Sequence, residues 1–210
     1  MNASKPFVLG LTGGIGCGKS EAARHLKSLG AAHIDADAIS RALTAPGGAA
    51  LPEIRREFGD GVFFPDGTLD RGALAEIVFA NASAKARLEG IIHPLVREYT
   101  LRAIAEADAP VAVLDVPLLF ESGMDELCGE TWAMAADEAI QIRRVRERDG
   151  LTEAQARARI ANQLPMAERN ARATRVIDSA RPIEETWAEL TRLYEALLKR
   201  ELRRTYAENK

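Results

Sequence analysis

One octapeptide limits what this chain can fold into more than any other feature: Gly13-Gly14-Ile15-Gly16-Cys17-Gly18-Lys19-Ser20. It fits G-x-x-x-x-G-K-[ST], a loop that cradles phosphates between a strand and a helix. The flanks suit it. Phe7-Val8-Leu9-Gly10-Leu11 is an apolar run of strand length, and Glu21 to Leu29 reads as a helix. Glycines let the backbone turn tightly so that its N–H groups face phosphate oxygens, and the helix start adds free N–H groups and a positive dipole end. In such a loop Lys19 reaches the β- and γ-phosphates and the Ser20 hydroxyl holds magnesium. Gly13, Gly14, Ile15, Gly16, Cys17, Gly18, Lys19 and Ser20, with Glu21 next to them in the first helical turn, are the residues expected to bind ATP or GTP.

Cys17 has two readings. It is a small residue suited to a tight loop, or a thiol whose pKa the helix N-terminus lowers. The second reading predicts inactivation by alkylation and protection by Mg-ATP.

Strands alternating with helices predict an α/β fold with a parallel sheet of about five strands. Ala31-Ala32-His33-Ile34-Asp35 reads as the second strand. From Ala38 to Ala107 the pattern is helical, broken at Pro46-Gly47-Gly48 and Phe64-Pro65-Asp66-Gly67. Pro110 to Phe120 is the strongest strand signal, a continuous apolar run suited to a buried parallel strand. Thr131 to Ala136 is a weaker strand, Asp137 to Leu164 is arginine-rich and helical with a break at Gly150, and Arg175 to Asp178 is a last strand. Pro182 to Tyr206 reads as a terminal helix whose Ile183, Trp187, Leu190, Tyr194, Leu197 and Leu198 form a core-facing stripe.

Composition narrows the function classes. A net charge of -3 argues against a general nucleic-acid binder, and two cysteines in 210 residues are too few for a disulfide framework. No segment approaches the length of an apolar membrane helix, and the first residues lead into a strand without an apolar signal core. A cytoplasmic protein with no membrane association and no obligate protein partner is expected. A GTP switch would need a guanine-reading N-K-x-D element, which no internal segment supplies. Asp35-Ala36-Asp37, at the C-terminal end of the second strand, lies at the ligand end of a parallel sheet. There a carboxylate can orient or deprotonate an acceptor hydroxyl, as a kinase requires, while Asp35 is also placed to cap the next helix.

These residues carry a resemblance to the dephospho-CoA kinase family. Leu11 to Ser20 followed by Ile34-Asp35-Ala36-Asp37, Asp66-Gly67-Thr68-Leu69-Asp70-Arg71, Ile92-His93-Pro94-Leu95, Val116-Pro117-Leu118-Leu119-Phe120-Glu121 and Val176-Ile177-Asp178 stand in family order. The resemblance implies a P-loop NTPase fold: a three-layer α/β/α core (5–40 with 108–145 and 170–210), a helical CoA-binding insertion (41–107) and a helical lid (146–169). It implies transfer of the γ-phosphoryl group of ATP to the ribose 3′-hydroxyl of dephospho-CoA, with magnesium; another small-metabolite or nucleoside kinase on the same scaffold is the alternative. Carried over, Asp37 is the base, and Lys19 with Arg144 and Arg148 of the arginine-rich segment is catalytic. Asp37, His93, Phe120 and Glu121 bind substrate, His93 alternatively being a packing or capping residue before a proline-started helix. The chain departs from the family pattern at Cys17 and Glu21, where Ser and Thr are usual, and at Ser179-Ala180-Arg181, where an Asn-Ser-Gly type ending is usual.

Overall fold

The computed structural model of the chain describes residues 5–208. Five strands, β1 (Phe7–Gly13), β2 (Ala32–Asp35), β3 (Val111–Asp115), β4 (Glu130–Ala135) and β5 (Arg175–Asp178), form one sheet in the order β2-β3-β1-β4-β5. β1 pairs in parallel with β3 and β4, and β4 with β5. The loop-bearing strand is thus central, and β3 is buried throughout, which explains its uninterrupted apolar run. Gly10 serves close packing at this centre: a Cβ there would stand 2.7 Å from Cys128 Sγ and 2.9 Å from Leu119 Cδ2.

Helices follow in chain order: α1 (Lys19–Ser28), α2 (Ala36–Leu43), α3 (Leu51–Phe58), α4 (Arg71–Ala80), α5 (Ala82–Ala105), α6 (Glu138–Asp149), α7 (Glu153–Ala161), α8 (Met166–Arg172) and α9 (Ile183–Glu208). The chain divides into two compact units. One runs to Ile34 and resumes at Ile104; the other is Asp35–Ala103. The first unit therefore also contains 146–169. Its main core joins Leu9, Leu11, Val113, Trp132 and Met134 of the sheet to Leu26 of α1 and to Leu190, Tyr194 and Leu197 of α9. A smaller cluster of Ile142, Val145 and Ala156 joins α6 to α7 and takes in Ile15 of the loop. The second unit has its own core of Leu43, Ala50, Ile54, Val62 and Leu74.

Three expectations are corrected. The run Pro110–Phe120 is not all strand: β3 stops at Asp115, and 117–123 is a turn. Pro117 lacks an N–H for a ladder, and Leu119 and Phe120 are apolar because they alone of the turn are buried, while Leu118 is 46% exposed. Pro94 does not start a helix but lies inside the continuous α5. Ile91, Ile92, Leu95 and Val96 around it pack on the second core, and that burial outweighs the proline penalty of about 3 kcal/mol. Of the α9 stripe, Leu190, Tyr194 and Leu197 are buried, whereas Ile183 and Trp187 remain 43% and 37% exposed and line a cavity. Among the described residues no helix is long and apolar enough to cross a membrane.

Candidate active site

The loop is built as its glycines dictate. Gly16 and Gly18 take φ of 78° and 76°, where a side chain would be strained. Gly16 is also pressed against α6, since a Cβ there would stand 2.8 Å from Gln141 O. Cys17 N–H closes the turn onto Gly14 O at 3.0 Å. Gly18 precedes α1 with no side-chain cap, so the first turn of that helix offers its N–H groups to an anion.

Lys19, in the first turn of α1, forms an ion pair with Asp115, the last residue of β3. His33 Nε2 of β2 lies 3.1 Å from the other carboxylate oxygen. The three side chains are 14%, 7% and 19% exposed. Burial pushes the Asp115 carboxyl up, but the hydrogen bonds from His33 and Lys19 and the charge of Lys19 together hold it below the ordinary carboxylate value. The loop lysine is therefore parked on a carboxylate at the ligand end of the neighbouring strand. Thr12 Oγ1 donates to Pro117 O at 3.1 Å and ties the loop entrance to the turn after β3.

Arg144 of α6 is fixed on the far side of the loop. Its guanidinium donates to Gly16 O (3.2 Å), Ser179 Oγ (3.3 Å) and Ser179 O (2.6 Å). Ser179 is itself anchored, with N–H and hydroxyl both donating to Ala135 O. Ser179, where the sequence departs from the family ending, thus locks β4, β5 and Arg144 together. Beside them lies a cavity of about 180 Å³ lined by Gly18, Glu21, Arg144, Arg181, Ile183 and Trp187, among others. Glu21 pairs with Arg24 one turn on. Trp187 stacks on His25, ring centres 5.4 Å apart.

Arg148 is not joined to Arg144. It is 61% exposed and pairs bidentately with Asp149, at 2.7 and 3.0 Å, and Asp149 also takes Arg159 at 3.0 Å. Arg143 and Arg146 have no ion-pair partner among the described residues and line an open groove between α6 and α7. Gln163 Oε1 accepts the Ile15 N–H at 2.8 Å, so the segment after α7 is stitched to the loop. Glu121 accepts the next N–H of that segment, from Leu164, at 3.1 Å. Phe120 is buried, with the Arg172 guanidinium 4.5 Å above its ring.

In the second unit Asp35 caps α2 by accepting Ala38 N–H at 2.9 Å, and Arg41 stands 3.6 Å away. Asp37 lies exposed in the first turn of α2. His93 lies mid-helix in α5, exposed, on a groove of about 330 Å³ with Leu69, Leu74, Val78 and Leu88. Cys17 does not fit the reactive-thiol reading. It is 1% exposed within the main core, and burial raises its pKa despite the opposing pull of backbone hydrogen bonds and of Arg169 and Arg144.

Asp115 reads from the sequence as an acid inside the strongest strand that pairs with a buried neighbour, and it does so; that its partners are Lys19 and His33 needed the knowledge that β3 lies between β1 and β2. His33, Gln163 and Arg169 escaped the sequence reading. Gln163 lies just after α7 and Arg169 within α8, and nothing local marks either as a contact of the loop.

A sequence model described as dephospho-CoA kinase matches residues 7–185. A dephospho-CoA kinase of Geobacter sulfurreducens is 44% identical over 191 residues, covering 86% of this chain and 97% of the relative. Among solved structures, TT1252 from Thermus thermophilus superposes with a TM-score of 0.79 at 35% identity, covering 94% of this chain and 98% of the other. A dephospho-CoA kinase from Campylobacter jejuni superposes with a TM-score of 0.69 at 27% identity, covering 91% and 97%.

Proposed function

Because the chain belongs to the dephospho-CoA kinase family, we propose that it transfers the γ-phosphoryl group of ATP to the ribose 3′-hydroxyl of dephospho-CoA, giving CoA and ADP. The match to a family relative over 97% of that relative's length carries the reading. The side chains of the candidate site supply a way to do it.

The loop N–H groups and Lys19 hold the β- and γ-phosphates, Lys19 exchanging Asp115 for phosphate oxygen as nucleotide binds. The Ser20 hydroxyl, exposed at the start of α1 and without a partner among the described residues, is the hard oxygen donor that suits magnesium. Bound there with the nucleotide, the ion would neutralise charge on the β/γ oxygens. Arg144, already oriented by Gly16 and Ser179, presents a fixed cation beside the loop without reorganising during the reaction. The cavity between Gly18 and Trp187 takes the adenine, with Ile183 and Trp187 as its apolar wall. Arg148 leaves Asp149 to cover the phosphates, which excludes water from ATP.

Asp37 accepts the 3′-hydroxyl proton as the γ-phosphoryl group departs, a contribution of about 10²–10⁴-fold. The groove beneath His93 receives an apolar part of the acceptor. Phe120 and Glu121 act through the turn they build, Phe120 from beneath Arg172 and Glu121 by holding Leu164.

ADP release measured with dephospho-CoA, nucleosides, shikimate and pantothenate as acceptors tests the proposal. Stimulation by dephospho-CoA alone is expected. Stimulation by another acceptor in its place moves the chain to a different small-metabolite kinase activity.

A further inference from the structure

Arg169 of α8 is 3% exposed, the one arginine among the described residues that is buried. Its partners are few. Nη2 donates to Leu164 O at 2.7 Å, Nε is buried with no hydrogen-bond partner, and no carboxylate pairs with the guanidinium among the described residues. A cation withdrawn from water without a counter-charge is costly, and a buried N–H left unbonded is rare. A structure that keeps such a group has another use for it.

Its surroundings say what that use is. A Cβ built on Gly14 would stand 3.1 Å from Arg169 Nη1 and 3.0 Å from Gln141 Oε1. The guanidinium therefore lies against the backbone of the phosphate loop, and a side chain at position 14 would force it or Gln141 to shift. Gln163, from the same segment, accepts the N–H of the next loop residue, Ile15, at 2.8 Å. The segment 163–169 thus backs the loop with one hydrogen bond and one uncompensated positive charge.

We propose that Arg169 is a positioning residue of the phosphate loop, a buried fixed charge laid against Gly14 whose counter-charge is the polyphosphate of the bound nucleotide. This rests on the reading that the loop holds nucleotide phosphates. The charge acts through the loop backbone: it raises the local potential, and the guanidinium packed against Gly14 limits how far the loop can shift. The guanidinium is buried against the Gly14 backbone, in surroundings of low effective dielectric, so the effect scales with ligand charge. A purely structural arginine would instead affect all ligands of the loop and cavity alike.

Calorimetric Kd values for adenosine, AMP, ADP and ATP on wild type, Arg169→Met and Arg169→Lys separate these cases. Arg169→Met should leave adenosine within about twofold and weaken ADP and ATP by roughly 10- to 100-fold, with Arg169→Lys recovering most of the loss. Equal weakening of all four ligands, or unchanged ADP and ATP affinity, overturns the proposal. The wild-type series tests the underlying reading on its own: no gain from adenosine to ADP would remove phosphate binding by the loop, and the role of Arg169 with it. Should Arg169→Met not fold, the wild-type ¹⁵N signal of Arg169 Nε, assigned with Arg169→Lys, decides the matter. It should shift with ADP or pyrophosphate and stay in place with adenosine; a signal that pyrophosphate does not move overturns the proposal.

Discussion

Replacing Asp115 by Asn removes the carboxylate that parks Lys19 while leaving its shape. The two side chains are 7% and 14% exposed, so the pair lies mostly out of water. Charges about 4 Å apart at an effective dielectric near 20 attract by about 4 kcal/mol. Withdrawing both ions from water offsets several kcal/mol of that, and the hydrogen bond from His33 returns about 1.5 kcal/mol. Asn leaves the Lys19 ammonium facing a neutral amide, so the loss is about 2 kcal/mol. That is smaller than the ~3–5 kcal/mol for breaking a fully buried pair, because Lys19 keeps some access to solvent. For a chain of this length the melting temperature should fall by about 4–8 °C. Urea denaturation of wild type and variant across pH gives a second reading. The unfolded carboxyl titrates near ~3.9, and the native value is lower, so the stabilisation is fully present above the unfolded value and is lost as pH falls through the native one. The gap between the two proteins should be widest near neutrality and shrink in the acid range. Equal stability at pH 7, or a gap that does not narrow on acidification, refutes the ion pair as a stabilising element.

Three further outcomes follow from the site. Asp37→Asn should leave ATP affinity near wild type and lower turnover by about 10²–10⁴-fold, measured by coupled ADP release; unchanged turnover removes Asp37 as base. Cys17 should resist iodoacetamide in the native protein with or without Mg-ATP and react only after unfolding, since the thiol is buried and its pKa raised; rapid labelling of the native enzyme contradicts this. ATP should change the fluorescence of Trp187 while Trp132, fully buried in β4, stays constant, and Trp187→Ala should weaken ATP binding by roughly 10-fold through loss of an aromatic wall. An emission change that persists in Trp187→Ala would place the base elsewhere.

The parts legible in the sequence are those set by local rules. The glycine spacing of the loop, the apolar run of β1, and the four residues of β5 at 175–178 depend on neighbours within a few positions, and they stand where they were expected. Errors arise where burial is decided by distant packing. The turn after β3 reads as strand because Leu119 and Phe120 are apolar for the sake of its buried interior. Pro94 reads as a helix start because the packing that carries α5 through it comes from other helices. Trp187 reads as core because helical spacing does not tell a buried stripe from the wall of a cavity. The electrostatics were the least legible. Lys19 and Asp115 are 96 positions apart, and their pairing exists only because β3 lies beside β1. Arg148 sits one turn from Arg144 as expected, yet its immediate neighbour Asp149 claims it, a competition that spacing alone does not reveal.

The central claim is that a phosphoryl group held on the loop is passed to one particular hydroxyl. Phosphorus NMR of the product formed from ATP and dephospho-CoA tests it most directly. A new phosphomonoester resonance coupled to the ribose H3′ proton, growing in step with ADP, is the predicted result. Coupling to H2′, or ADP released with free phosphate and no new ester, would contradict the account.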